Sequence, residues 1–400
     1  MPGELGGGVR PPIPARRARW LLAVAGCCAI TGMAVRGSAA KLPNGSTDAV
    51  SIADYGAAAD GGADSTGAIE AAISAGRARA LPVFVPAGTF RHKAFTLDGV
   101  RLFGMGAASV LIAPNPEDAT IRLRGSGPSL SDVTVKVASS HRDAQHFAIN
   151  VDGARHFAIE SVTVEGGNAG GIMDFGGSDG TIEGNLVQDT LADAIHNTYG
   201  AHDIVIAHNT VRRAGDDMIA VVSYGNEPMS HDILITDNDL ADQERGRGIS
   251  VVGGQNVTIE GNTVAQTRCC AGIYLASERS WHTAGVDNIL VRGNVLKDNG
   301  GPTHHGAIML FADNGWVRNA AVENNTIIGA HDAAVTLIGA VANVSIVGNQ
   351  FVQPGTGSIS GLGSNVFCAD NMLDGHPLTV TACTAQQRPV ATGAALHLAR

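Results

Sequence analysis

The chain has 400 residues, 52 of them glycine, and only 4% are aromatic, a composition suited to tight turns and small repeated layers more than to one bulky core. Its 37 acidic residues against 27 basic ones give a formal net charge of −10. No overall positive field is available to a nucleic-acid binder, which argues against nucleic acid as a partner.

Residues 1–40 read as an export signal. Arg10, Arg16, Arg17 and Arg19 precede the apolar run from Trp20 to Val35, and the small residues 37–40 follow. Arg16 and Arg17 resemble a twin-arginine signal, and the VAGC run at 24–27 resembles a lipobox, which would acylate Cys27. The expected location is secreted or periplasmic, with lipid anchoring through Cys27 as a variant. Nothing after residue 40 offers the roughly 18 consecutive apolar residues of a membrane span, so no span is expected in the mature chain.

The next segment carries a family signature. The runs SIADYGAAADGGADSTGAIEAAI (51–73), LPVFVPAGTF (81–90) and VRLFGMG (100–106) resemble the opening of the pectate-lyase superfamily of parallel β-helices. By that resemblance residues 41–110 form an N-terminal cap and the first coils, with a helix near Thr66 to Arg77 closing the apolar end of the solenoid. The same opening precedes hydrolases, lyases, epimerases and phage tailspikes, so it speaks for fold and not for reaction.

Residues 111–385 read as the solenoid, and within them a phrase recurs: an apolar triplet, two small or polar residues, an asparagine, then more β formers. It places Asn185, Asn209, Asn238, Asn262, Asn294, Asn325 and Asn349 in register, at intervals of 24, 29, 24, 32, 31 and 24 residues. A period in this range without interleaved helices signals stacked coils, each too small to bury its own face. The expected fold is all-β: a single-domain right-handed parallel β-helix with an N-terminal capping helix and a C-terminal tail at 386–400. The recurring asparagine is read as a structural ladder, tolerating left-handed backbone at a turn while its amide bonds to neighbouring coils. Intervals above 24 mean inserted residues, chiefly SYGNEPMSHD, ASERSWHTAGVD and LFADNGWVRN, expected as loops overhanging one face. Capped, stacked coils need no partner, so a monomer is expected.

Aligning coils by the start of one strand gives ADAIHNT (192–198), DDMIAVV (216–222), GRGISVV (246–252), AGIYLAS (271–277) and GAIMLFA (306–312). Asp193, Asp217 and Arg247 then share one column at the roughly 4.8 Å spacing of neighbouring strands, with Asp216 beside Asp217. Crowded carboxylates repel, so one pKa should rise and leave a protonated acid beside an ionised base, the pair that glycosidic hydrolysis uses. The run also resembles the polygalacturonase-type glycoside hydrolases, whose coils carry NTD, GDD and GHG. That resemblance implies that Asp193, Asp216 and Asp217 protonate the leaving oxygen and activate water. Two features depart from it: Arg247 stands at the family's histidine position, and Gly272, Ile273 and Tyr274 replace its RIK.

The few aromatic residues cluster late. Trp281 and Trp316 fall in the insertions, and Tyr199, Tyr224 and Tyr274 on or just after the aligned strands, so all five are expected to line sugar subsites. His196, Glu278 and His305 complete the expected substrate-binding set, although alternation along a strand turns His196 away from Asp193. The six cysteines form three pairs. Cys27 and Cys28 lie in the leader, Cys269 and Cys270 are expected to be buried, and Cys368 with Cys383 reads as a disulfide staple.

The expected function is an exported enzyme that hydrolyses glycosidic bonds of a polysaccharide, without metal or cofactor. The first alternative is a Ca²⁺-dependent lyase or C5-epimerase on a uronic-acid polymer, with the three aspartates holding Ca²⁺ and Arg247 as base. The second is a non-catalytic polysaccharide-binding solenoid.

Overall fold

The computed structural model describes residues 48–379; the leader, Cys27, Cys383 and the C-terminal tail lie outside the described residues. The chain winds as a right-handed parallel β-helix, as the repeat predicts. Each central coil carries three short strands. One coil runs Asp193–Thr198, His202–Ala207 and Thr210–Arg212, and the next runs Ile219–Val222, His231–Thr236 and Asp239–Gln243. First and second strands of the coils join in one 22-stranded sheet bent around the solenoid, and third strands build a 14-stranded sheet.

Alternate residues of each strand point inward, so equivalent side chains stack along the axis. Ile172, Ile195, Ile219, Ile249, Ile273 and Ile308 form one such column, each at most 1% exposed. Burying a side chain of this size stabilises by about 1.5–3 kcal/mol. The helix, Thr66–Arg79, caps the end of the column by burying Ile69, Ala72, Ile73 and Gly76. A Cβ at Gly76 would come within 2.8 Å of the Leu81 carbonyl oxygen, which is why glycine stands there. Among the described residues no helix is long and apolar enough to cross a membrane.

The seven asparagines form a continuous buried ladder that extends to Asn371. In each step the backbone N–H and the Nδ2 of one asparagine donate to the Oδ1 of the next, at 3.0 and 2.8 Å for Asn238 to Asn262. Nδ2 also donates to a carbonyl, that of Ile235 for Asn262. The left-handed backbone lies one residue earlier than the sequence reading placed it. Gly184, His208, Asp237, Gly261, Gly293, Asn324, Gly348 and Asp370 take φ between 53° and 69°, and the ladder asparagines do not.

A second, exposed ladder was not read from the sequence. Asp203, Asp232, Asn256, Asn288, Asn319, Asn343 and Asn365 all take φ near 55° at the start of the second strand. Asn256 donates to Asp232, Asn288 to Asn256, Asn343 to Asn319 and Asn365 to Asn343.

Two insertions, 223–230 and 278–285, are loops at one edge of the first-strand face, tied together where Gly225 N donates to His282 O at 2.7 Å. The third is no loop. It belongs to the continuous strand Ile308–Glu323, with a bulge between Ala312 and Val317, so Trp316 sits in a strand. Cys269 and Cys270, expected as a buried pair, are joined to each other by a vicinal disulfide. Cys368 is buried.

Replacing Asn262 by alanine should orphan the Asn238 N–H and the Ile235 carbonyl inside the solenoid. At about 1–3 kcal/mol per buried unsatisfied group the loss is about 2–6 kcal/mol, read as a lower urea midpoint. Asn288→Ala on the exposed ladder should cost under about 1 kcal/mol. Equal midpoints for the two variants would refute the assignment of register locking to the buried ladder.

Candidate active site

The site is built where first strands begin. The pairing of Ile195 with Ile219 and of Ile219 with Ile249 puts Asp193, Asp217 and Arg247 in one column, as the alignment predicts. The column is wired through its backbone. Asp217 N donates to Asp193 Oδ1 at 2.9 Å, and Arg247 N donates to Asp217 Oδ1 at 2.8 Å. The Ser250 hydroxyl donates to the other Asp217 oxygen at 2.6 Å, leaving the Asp217 side chain only 8% exposed. One carboxylate oxygen each from Asp193, Asp216 and Asp217 lies within 4.8 Å of the others.

Asp216 is the most open of the three, its side chain 27% exposed. Burial first, then the neighbouring Asp193 and Asp217 charges, push its pKa up to about 7, against the pull of Arg142. Arg142 is a residue the sequence reading missed: it stands 74 positions earlier and its guanidinium pairs with Asp216. Asp143 steadies its loop, accepting from Gln145 N, His146 N and the His146 ring. Despite partial burial, those donors hold the Asp143 carboxyl down at about 2.

Arg247 is enclosed. Its guanidinium lies 3.5 Å from Asp217 and 3.1 Å from Glu278, and 4.5 Å over the Tyr274 ring. Burial works against its charge, but Asp217, Tyr274 and Glu278 more than offset this and raise its pKa above the ordinary arginine value. Tyr274 donates its hydroxyl to Glu278 at 2.9 Å and stacks on His305 with centroids 5.6 Å apart. Burial, then Arg247, lower the His305 pKa to about 4, so the ring is neutral.

Several expected subsite residues are therefore reassigned. Tyr274 and His305 are each 3% exposed, too covered to serve as sugar platforms, and with Glu278 they hold Arg247 in place. His196 does meet Asp193: its Nδ1 donates to Oδ2 at 2.5 Å, because Asp193 at the strand edge bends over the outward face. Tyr199, Tyr224 and Trp281 lie on the opposite edge of the face, Tyr199 43% and Trp281 61% exposed. Two residues the sequence reading passed over extend this row, with Phe147, Phe175, Tyr199 and Tyr224 at successive centroid distances of 5.8, 5.3 and 6.4 Å. Trp316 instead lines a separate shallow groove with Ala340 and Leu362, and Arg318 lies 4.9 Å over its ring.

One family matches the chain in sequence, described as a right-handed β-helix region, over residues 147–351. The chain belongs to the right-handed β-helix family. No curated protein matches it in sequence. Among solved structures, this β-helix is similar to the Agl-KA catalytic domain, at a TM-score of 0.70 and 18% identity, over 83% of this chain and 68% of that one. It is also similar to the catalytic unit of a thermostable GH87 α-1,3-glucanase from Streptomyces thermodiastaticus, at 0.70 and 21%, over 88% and 73%. A third similar structure is the A-module of the Azotobacter vinelandii mannuronan C-5 epimerase AlgE6, at 0.58 and 19%, over 82% and 99%. Matching GH87 α-1,3-glucanase catalytic domains with single aspartate-to-alanine changes are bound to nigerose or tetrasaccharides; in their numbering the three changed positions stand 23 apart and then adjacent. The likeness to these structures is one of fold, and it is not specific to the polygalacturonase-type hydrolases.

Just inside the site, Asp174 is wholly buried and burial pushes its pKa up to about 7. Its Oδ1 accepts from Gly177 N at 2.7 Å while Oδ2 has no partner. An acid raised in the fold stabilises it fully below the unfolded pKa near 4 and loses that contribution as pH climbs toward 7. Asp174→Asn keeps the Gly177 bond without the titration. It should therefore leave stability at pH 4 almost unchanged and raise it at pH 8 by up to about 4 kcal/mol. Melting curves across this range check it; a pH-independent difference would refute the buried acid.

Proposed function

We propose that the protein hydrolyses glycosidic bonds of a polysaccharide, with Asp216 as general acid and Asp193 as the base that receives the proton of water. The observation that carries this is the compact trio of carboxylates in which one, Asp216, stays protonated to about pH 7 while exposed to the cleft. Asp216 gives its proton to the glycosidic oxygen as the bond to the anomeric carbon breaks. Water bonds to that carbon and its proton passes to Asp193, whose carboxylate is oriented by His196 and the Asp217 N–H. Asp217, with both oxygens occupied, fixes the geometry and balances Arg247.

A second observation supports the reading. Asp193, Asp216 and Asp217 repeat the 23-then-adjacent spacing of the three aspartates changed in the GH87 α-1,3-glucanase domains. The lyase or epimerase alternative asks Arg247 to act as base, yet its neighbours hold it as a cation. It also asks the trio to hold Ca²⁺, where Asp217 already accepts from Arg247 N and the Ser250 hydroxyl and Arg142 pairs with Asp216.

The test is incubation with α-1,3-glucan, other neutral glucans and uronate polymers, with and without chelator, following reducing ends and the ultraviolet absorbance of unsaturated sugars. Reducing ends without absorbance, insensitive to chelator, are expected, with kcat falling above about pH 7. Asp216→Asn should lower kcat by about 10²–10⁴. Absorbance that disappears on chelation would overturn the hydrolase in favour of the lyase. Unchanged turnover in Asp216→Asn would remove Asp216 as the acid.

A further inference from the structure

On the edge of the face opposite the aromatic row, the turns that follow the third strands enclose a pocket of about 560 Å³. Four arginines line it: Arg142 from the loop between Thr134–Val137 and Phe147–Asp152, and Arg213, Arg245 and Arg268 from three successive turns. Among the described residues only two carboxylates, Asp242 and Glu244, share the lining. In a chain of net charge −10 this is a local excess of positive charge, and all of it is arginine. The partners behind the wall do not cancel it. Arg213 pairs with Asp189 through two bonds of 2.7 and 2.9 Å, and Arg268 with Glu244 at 3.2 Å, but both pairs are exposed to solvent and so hold their guanidinia weakly. Arg142 pairs with Asp216, the carboxyl that keeps its proton, so the charge of Arg142 stays uncompensated. No hydrogen bond or ion pair to another described residue occupies the exposed Arg245 side chain. Even with Asp189 counted, positive charge exceeds negative.

The pocket adjoins the carboxylate trio. Leu191 and Gly215 lie in its lining, Gly215 immediately precedes Asp216, and Arg142 belongs both to the pocket and to the Asp216 pair. Whatever enters therefore sits beside the proposed acid. The turn that presents Arg245 is braced by the Cys269–Cys270 disulfide, with the Cys269 sulfur 2.9 Å from the Arg245 carbonyl oxygen. The cations are separate from the RIK run of the polygalacturonase-type pattern, whose place Gly272, Ile273 and Tyr274 take at the start of a first strand.

We propose that this pocket is a subsite for a sugar residue that carries an oxyanion, a carboxylate or a sulfate ester, next to the linkage being cleaved, so that the substrate is an acidic polysaccharide. The inference rests on the hydrolase reading and names its substrate class. A guanidinium presents paired N–H donors in one plane, which match two oxygens of a carboxylate or a sulfate. Lysine, a compact point charge without that fork, is absent from the lining. The volume lies in the range of small-molecule sites, so the ring of the sugar enters with its anionic group. Asp242 and Glu244 are left to accept from the hydroxyls of the same residue.

The experiment measures binding and turnover separately. Three oligosaccharides of equal length are titrated into the Asp217→Asn variant, where the probes survive: an unsubstituted α-1,3-glucan, its sulfate ester and an oligogalacturonide. At low salt an anionic probe should bind at least about fivefold tighter than the neutral one, and the preference should shrink as salt rises. Arg245→Ala, at an exposed side chain, should weaken the preferred anionic probe about five- to tenfold and leave the neutral probe unchanged. Arg245→Lys should recover only part of the loss, since it restores the charge without the fork. In the chain with its aspartates intact, Arg245→Ala should raise KM for the acidic polymer. Tighter binding of the sulfate ester or of the galacturonide identifies which oxyanion the subsite takes, and either result supports it. A neutral probe bound as tightly as both anionic ones overturns the subsite, as does anionic binding unaffected by Arg245→Ala and Arg268→Ala alike. If the binding contrasts hold but no polymer is cleaved, the subsite stands and the hydrolase reading fails. If acidic polymer is cleaved with the same KM in both arginine variants, the hydrolase stands and the subsite fails.

Discussion

The buried amide of one asparagine per coil is the interaction on which the rest of the molecule depends. Parallel strands can slide past one another at little cost in hydrogen bonds, and a slip of one residue turns every side chain to the other face. The Oδ1 that receives two N–H groups from the preceding rung admits one register only, because any slip would leave those donors buried and unpaired. The left-handed residue just before each rung bends the chain into that position. Where the residue is glycine the reason is visible: at Gly261 a Cβ would stand 2.8 Å from Asp237 Oδ1 in the rung below.

That fixed register concentrates charge. The same stacking that puts isoleucine over isoleucine inside puts Asp217 over Asp193 and Arg247 over Asp217 at the strand edge. Three carboxylates so close would repel one another strongly, and the structure relieves this in two ways. Two guanidinia pair with the trio, Arg142 with Asp216 and Arg247 with Asp217, and Asp216 retains its proton. The division is chemically useful. The carboxyl nearest solvent keeps a transferable proton, while the most buried one is tied to serine, backbone and arginine. Tyr274, Glu278 and His305 form a wall behind Arg247 that keeps its charge pointed at Asp217.

What the sequence made legible was what repeats. Asn185 to Asn349, the strands between them and the column of Asp193, Asp217 and Arg247 all follow from counting positions along near-identical coils. Asn371 escaped because the last coil ends differently, and the exposed ladder because Asp203, Asp232 and Asn256 occur beside other turn-forming residues. Illegible were contacts made by loops, which no period governs. Arg142 reaches Asp216 across 74 positions, and Phe147 and Phe175 looked like ordinary strand residues until neighbouring rings showed them to be one row. Burial misled in the other direction. Tyr274 has the composition of a sugar platform, but it packs between Arg247 and His305, and only the folded chain reveals which face of a ring is covered. For His196 the alternation rule failed at a strand end, where the backbone no longer holds successive side chains on opposite faces.

The first-strand face therefore has two unlike borders. One is aromatic, with Tyr199, Tyr224 and Trp281 on turns between first and second strands, and the other is built of guanidinia and carboxylates on turns after the third. The carboxylate column lies at the ionic border and not midway. The face between the two borders is floored by first-strand side chains that point outward. Ala220, Val222, Ser250 and Val252 form this floor with small side chains, between His196 in the coil before and Tyr274 in the coil after. Such a floor makes a trough about two coils wide, roughly 10 Å. Small side chains along the floor, rings at one border and ionic groups at the other are thus set by one register, since each border repeats a single position of the coil.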